Sequence, residues 1–196
     1  ERYSNTLQFS DNHTKVYRGP CMTFQVGEKV VYPNHGVGTI ENISTRAFGP
    51  NNERFYLLRL NYNRMTVMVP FPHVSDVGLR KITKAGEISL VHTFLAAGTC
   101  KSSADWKVRF KVNSEKMRSG SLPEIAGVFK SLLIIQSEKP LSFREKKMLD
   151  RARQMLIGEV SICRAVNELE AIELLQKSLS TRGGSGSGVS ATGPGW

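Results

Sequence analysis

From Met22 to about residue 83, apolar positions alternate with polar ones; beyond that the spacing turns helical. Phe24, Val26, Val30 and Tyr32 alternate with polar neighbours and predict a first strand. Pro33-Asn34-His35-Gly36 is a turn signal, and Val37 to Thr45 reads as a second strand. A second turn falls at Gly49-Pro50-Asn51-Asn52. Phe55 to Tyr62 predicts a third strand with Tyr56, Leu58, Leu60 and Tyr62 on one face. Met65, Val67 and Val69 alternate with Thr66 and Met68 in a fourth. So many short strands in so short a span predict a small closed β-barrel, because an open sheet of that size leaves unpaired edges.

Residues 84–180 predict helices. Ser121 and Glu124 have the spacing of a capping box, with Pro123 tolerated in the first turn. Ile125, Val128, Phe129, Leu132 and Leu133 then form one apolar stripe. Ser142 and Glu145 make a second box, followed by the stripe Met148, Leu149, Ala152, Met155 and Leu156. Leu169, Ile172, Leu175 and Leu179 form a third stripe within 166–179, and further helices are expected over 84–97 and 104–118. Single-sided stripes must bury one another, so a compact all-α bundle of about five helices is expected. The fold class is α+β: a β domain at 22–83, then a helical domain at 84–180. Residues 1–21 lack either period and read as a disordered stretch or extension, with Met22 as a candidate functional start. Residues 181–196 read as a flexible Gly/Ser tail.

Charge adds a partner class. The chain has 196 residues with 27 Lys and Arg against 17 Asp and Glu, a net charge of +10. The excess concentrates in residues 101–153, which hold 13 basic and six acidic side chains. On the helix after Ser142, Arg144, Lys147 and Arg151 follow at i, i+3 and i+7, opposite the apolar stripe. Lys107, Lys111 and Arg118 share a side of the earlier helix. Two basic helix faces suit a phosphate backbone, and charge alone leaves an ordinary solvated surface equally open. Trp106 sits among these cations. It reads either as a core residue with Phe110 and Met117 or as an apolar wedge against DNA whose neighbours hold phosphates. Partial exposure at the start of its helix is the expectation that the wedge requires.

Other classes find little support. The longest aliphatic run, Leu132 to Ile135, is far short of the roughly 20 residues of a spanning helix. No apolar signal-peptide core opens the chain, so a cytoplasmic protein is expected. Cys21, Cys100 and Cys163 show no metal-ligand spacing and read as reduced, incidental thiols. His13, His35, His73 and His92 are scattered, and no phosphate-binding loop, HExxH or nucleophile elbow occurs. No enzymatic activity and no cofactor are therefore expected. No dimer seam is legible, and a monomer is expected.

The stretches FQVGEKVVYPNHGVGTI (24–40), FYLLRL (55–60), TVMVP (66–70) and VGLR (77–80) resemble the RNA-polymerase-interacting domain of the CarD/CdnL family. DWKVRFKVNSEKMRSG (105–120) and LSFREKKMLDRARQMLIGE (141–159) resemble its helical domain. The barrel alone also occurs in transcription-repair coupling factors, whose helicase motifs this chain lacks. The resemblance implies a Tudor-like (SH3-like) barrel that binds the β subunit of bacterial RNA polymerase by strand pairing. It implies a helical domain that meets promoter DNA in the minor groove at the upstream edge of the bubble, largely independently of sequence. There a tryptophan, Trp106 here, wedges and stabilises the open complex. Arg109, Lys111 and Lys146 align with its DNA-contacting neighbours, and the charge pattern adds Lys107, Arg144, Lys147 and Arg151. Arg46, Met68 and Pro70 align with polymerase contacts. Met68 stands where some members have arginine, and so does Val108. A nucleoid-associated location follows. The alternative is a general DNA-binding or architectural protein whose barrel serves another partner.

Overall fold

The computed structural model describes residues 23–48, 51–97, 99–100, 103 and 105–180. The readings made for 1–21 and 181–196, and the Gly49-Pro50 part of the second turn, lie outside them.

Among the described residues five strands form an antiparallel sheet: β1 (Lys29–Tyr32), β2 (Gly36–Phe48), β3 (Asn51–Leu60), β4 (Thr66–Pro70) and β5 (Arg80–Lys81). Their spatial order is β4-β3-β2-β1-β5. The expected closed barrel is corrected here, because the sheet is open, with β4 and β5 at opposite edges. Closure would need a ladder between those two. Between them the chain instead makes a 3-10 turn at Phe71–His73, and Val74 and Leu79 turn inward to fill the space. A register shift between Ile40 and Asn42 bends β2, as an extra residue in one strand does. The curl encloses Phe24, Val30, Ile40, Tyr56, Leu58, Leu60 and Val69. Tyr56 organises this core: its ring stacks on Phe71 at 4.1 Å, and its hydroxyl accepts the Phe24 N–H at 3.1 Å.

Two alternation readings fail at strand ends. Val26 is exposed, because a turn through Gly27 at φ +86° precedes β1. Tyr62 lies beyond β3 in a turn and is 71% exposed.

Among the described residues five helices follow: α1 (Ala85–Ala97), α2 (Trp106–Ser119), α3 (Leu122–Glu138), α4 (Phe143–Arg164) and α5 (Glu168–Ser180). Ile125, Val128, Phe129 and Leu132 of α3 are fully buried against Leu149, Ala152 and Leu156 of α4 and against the apolar sides of α1, α2 and α5. The Ser142–Glu145 capping box is complete. The one read at Ser121–Glu124 is not, since Ser121 makes no side-chain cap. The hydroxyl of Ser119 takes the Ser121 N–H at 3.2 Å, and Glu124 accepts from the same hydroxyl. Leu169 also departs from its stripe; it is 73% exposed, and Ala171 and Leu175 bury α5 instead.

The sheet and the bundle meet through one buried carboxylate. Glu159 of α4 accepts from Arg80 at 2.6 and 2.9 Å and from the Thr83 N–H at 2.8 Å. The same guanidinium donates to the Gly120 carbonyl at 2.6 and 3.0 Å. Close backbone approach helps: a Cβ on Gly158 would stand 3.7 Å from Val37 of β2.

Candidate nucleic-acid interface

Trp106 occupies the first position of α2. Asp105 caps the helix by accepting the Lys107 N–H at 2.9 Å, which fixes where the indole leaves the backbone. The indole is 48% exposed. That agrees with the expected partial exposure and removes the core reading; Met117 is buried without it. The Lys107 ammonium lies 5.9 Å from the indole centroid, and Lys111 is exposed farther along α2. On α4, Arg144, Lys146, Lys147 and Arg151 are all exposed.

Arg109 is placed differently, and its reading as a surface contact is corrected. Its guanidinium is buried, donating to Glu145 Oε1 from Nε at 2.9 Å and Nη2 at 2.6 Å. It also donates to the Ser103 carbonyl at 2.8 Å. Both hydrogen bonds to α4 go to one carboxylate oxygen, while the other, Oε2, accepts from the Ser142 N–H and hydroxyl. Burial pushes the Glu145 carboxyl up, but the hydrogen bonds from Arg109 and Ser142 and the Arg109 charge outweigh it and hold the group below the ordinary glutamate value. Arg109 thus locks the first turn of α2 to that of α4, one turn from Trp106.

Sequence reading missed Phe143. It opens α4 at 71% exposed, with the Lys147 ammonium 4.6 Å above its ring. The available signal was its phase, since it stands four residues before Lys147 and outside the apolar stripe.

On the sheet, the ladder pairs Arg46 with Glu53, Met68 with Leu57 and Pro70 with Phe55. Paired residues share a face. Residues 53, 55 and 57 alternate with Tyr56 and Leu58, so Arg46, Met68 and Pro70 share the face opposite the Tyr56 cluster, a face on which Phe55 is also buried. Arg46 is exposed, and Met68 and Pro70 are half-buried. Met68 and Pro70 also lie on the edge strand.

Among the described residues no three His, Cys, Asp or Glu side chains gather as metal ligands, and no helix is long and apolar enough to cross a membrane. Burial pushes the Cys100 thiol up, with Lys130 and Lys116 opposing; Cys163 is half-buried, and Cys21 is outside the described residues.

An open antiparallel sheet, consistent with a Tudor-like domain, is joined to a helical bundle that carries a basic, aromatic-bearing surface. Residues 24–83 match the CarD-like/TRCF RID domain, and residues 90–176 match the CarD C-terminal domain. A Bacillus subtilis (strain 168) protein named "Putative transcription factor YdeB" is 33% identical over 145 residues, covering 74% of this chain and 95% of that protein. The chain belongs to the CarD family. The two domain matches and this relative support a role in transcription regulation.

Proposed function

We propose that this protein binds the β subunit of RNA polymerase through its sheet domain (22–83) and promoter DNA through its helical domain (84–180). In this reading it stabilises the open complex from the upstream edge of the bubble. The observation that carries it is the half-exposed Trp106 beside Lys107, with Lys111 farther along the same helix and Arg144, Lys146, Lys147 and Arg151 exposed on α4. Cations hold phosphates, while an aromatic side chain inserts at a base step and prefers partly unstacked DNA. The sheet face of Arg46, Met68 and Pro70, with β4 at its edge, supplies the polymerase contact by adding a strand.

The mechanism is linkage. A ligand that binds open promoter better than closed shifts the population toward open, and a differential of about 1–3 kcal/mol gives roughly 5–150-fold. Tethering through polymerase raises the local concentration of the wedge, so sequence-specific readout is unnecessary. The protein acts as a monomer in the cytoplasm, on the nucleoid, without catalysis. The test is the lifetime of an open complex formed by cognate polymerase, with wild type and Trp106→Ala. Wild type is expected to lengthen it, and the variant to bind polymerase yet lose most of the effect. Equal lifetimes would overturn the wedge, and absence of polymerase binding by either would overturn the whole reading.

A further inference from the structure

The basic face of α4 does not stop at the helical domain. Lys147 and Arg151, one turn apart, line a cleft of about 750 Å³ together with the β3–β4 turn of the sheet domain, including Tyr62 and Arg64. That turn is built to hold its shape. Asn63 Oδ1 accepts the Met65 N–H at 3.1 Å, the Asn61 N–H donates to the Val37 carbonyl at 3.0 Å, and the Leu60 N–H donates to Met65 at 2.9 Å. Arg64 itself sits at φ +54°, a left-handed conformation unusual for a residue with a side chain. The result is a Tyr side chain, 71% exposed, that lines the same cleft as the cations Arg64, Lys147 and Arg151. The Arg80–Glu159 pair and the Val37–Gly158 approach keep the two domains together.

We propose that this interdomain cleft is a second nucleic-acid site, in which Tyr62 and Arg64 grip the backbone of duplex DNA that also lies along Lys147 and Arg151. The inference rests on the reading that the helical domain binds DNA, and it assigns part of that binding to the sheet domain. Two observations select this occupant. The cleft continues the exposed cations of α4 without a break, since Lys147 and Arg151 belong to both. Its charge also suits an anion: Arg64, Lys147 and Arg151 stand against Asp150 and Glu168, and Asp150 already has Arg153 at 3.8 Å. His35, also on the rim, is held below its ordinary pKa by burial and then by the Arg151 charge. A phosphate beside Arg151 would relieve that repulsion.

The test uses the full chain and a fluorescent fork-junction duplex, with affinity measured across a salt series. The variants are Arg64→Asn, which removes the charge while tolerating the left-handed backbone, Tyr62→Ala, and Lys147→Ala as reference. Circular dichroism checks that each is folded. Arg64→Asn is expected to weaken binding and to lower the slope of log affinity against log salt by about 1, the signature of one lost phosphate contact. Tyr62→Ala is expected to weaken binding with the slope unchanged. If Lys147→Ala weakens binding while both turn variants match wild type, the cleft proposal is overturned and the helical DNA surface stands. If wild type itself does not bind the duplex, both fall.

Discussion

Arg109 of α2 and Glu145 of α4 form an ion pair at 2.6 Å in which both side chains are about 95% removed from solvent. Neither is a surface charge, although their sequence neighbours Lys107, Lys111, Arg144 and Lys146 all are. The pair belongs to a chain of hydrogen bonds from the Ser103 carbonyl to Ser142. It ties the first turn of α2, which opens on Trp106, to the first turn of α4.

Removing one partner leaves the other charge buried and unpaired. Arg109→Ala is therefore expected to cost about 3–5 kcal/mol. Urea unfolding would show it as a lower midpoint at constant slope. A cost below about 1 kcal/mol would mean that the pair does not form in solution.

Glu145 also predicts a pH dependence. Its native pKa is lowered, so its contribution is present above the ordinary glutamate pKa of about 4.3 and is lost as pH falls through the native value. Glu145→Gln lacks this linkage. The stability gap between wild type and Glu145→Gln should be constant near neutrality and should narrow below about pH 4. A gap that widens on acidification would reverse the assigned sign.

Trp106→Ala should leave the fold almost intact. The indole is half exposed at a helix start, so the expected loss is about 1 kcal/mol or less. Thermal unfolding checks this, and it separates a lost DNA function from a lost fold.

The junction between the halves depends on Glu159. Glu159→Ala leaves the Arg80 charge without its carboxylate and the Thr83 N–H without its acceptor, at an expected cost of about 3 kcal/mol. Amide hydrogen exchange should rise first around residues 80–84. Unchanged exchange there would place the coupling elsewhere.

Gly38 tests the sheet. A Cβ there would stand 2.7 Å from Leu58 Cδ1 and 2.8 Å from the Arg59 carbonyl oxygen. That oxygen belongs to the facing strand and cannot yield without moving the ladder. Gly38→Ala should cost about 1–3 kcal/mol, readable as a lower thermal midpoint, and a neutral substitution would mean that the ladder relaxes.

Local relationships were legible in the chain. The stripes of α3 and α4 and the Ser142–Glu145 box each rest on residues three or four apart, whose geometry a helix sets by itself. Alternation found β1 to β4 but not their ends, and it gave no sign of the two-residue β5: Val26 and Tyr62 continue the pattern in letters while the backbone has already turned. The basic face of α4 was equally visible, because Arg144, Lys147 and Arg151 repeat at the helical period.

Tertiary structure decided the rest. Arg109 meets a carboxylate 36 residues away, and Arg80 meets one 79 residues away; whether a charge is spent inside or offered to solvent depends on what folds against it. The same holds for Leu169, which fits a stripe but stays exposed at the start of α5, and for the open sheet, whose closure depended on where residues 71–79 run. The chain's own pattern set the order of elements, the phase of each buried face and the sign of the surface, because these follow from neighbouring residues and backbone period. Which cation became a strut, which aromatic stayed exposed and which turn came to line a cleft with α4 depended on distant segments packing together, which local spacing does not encode.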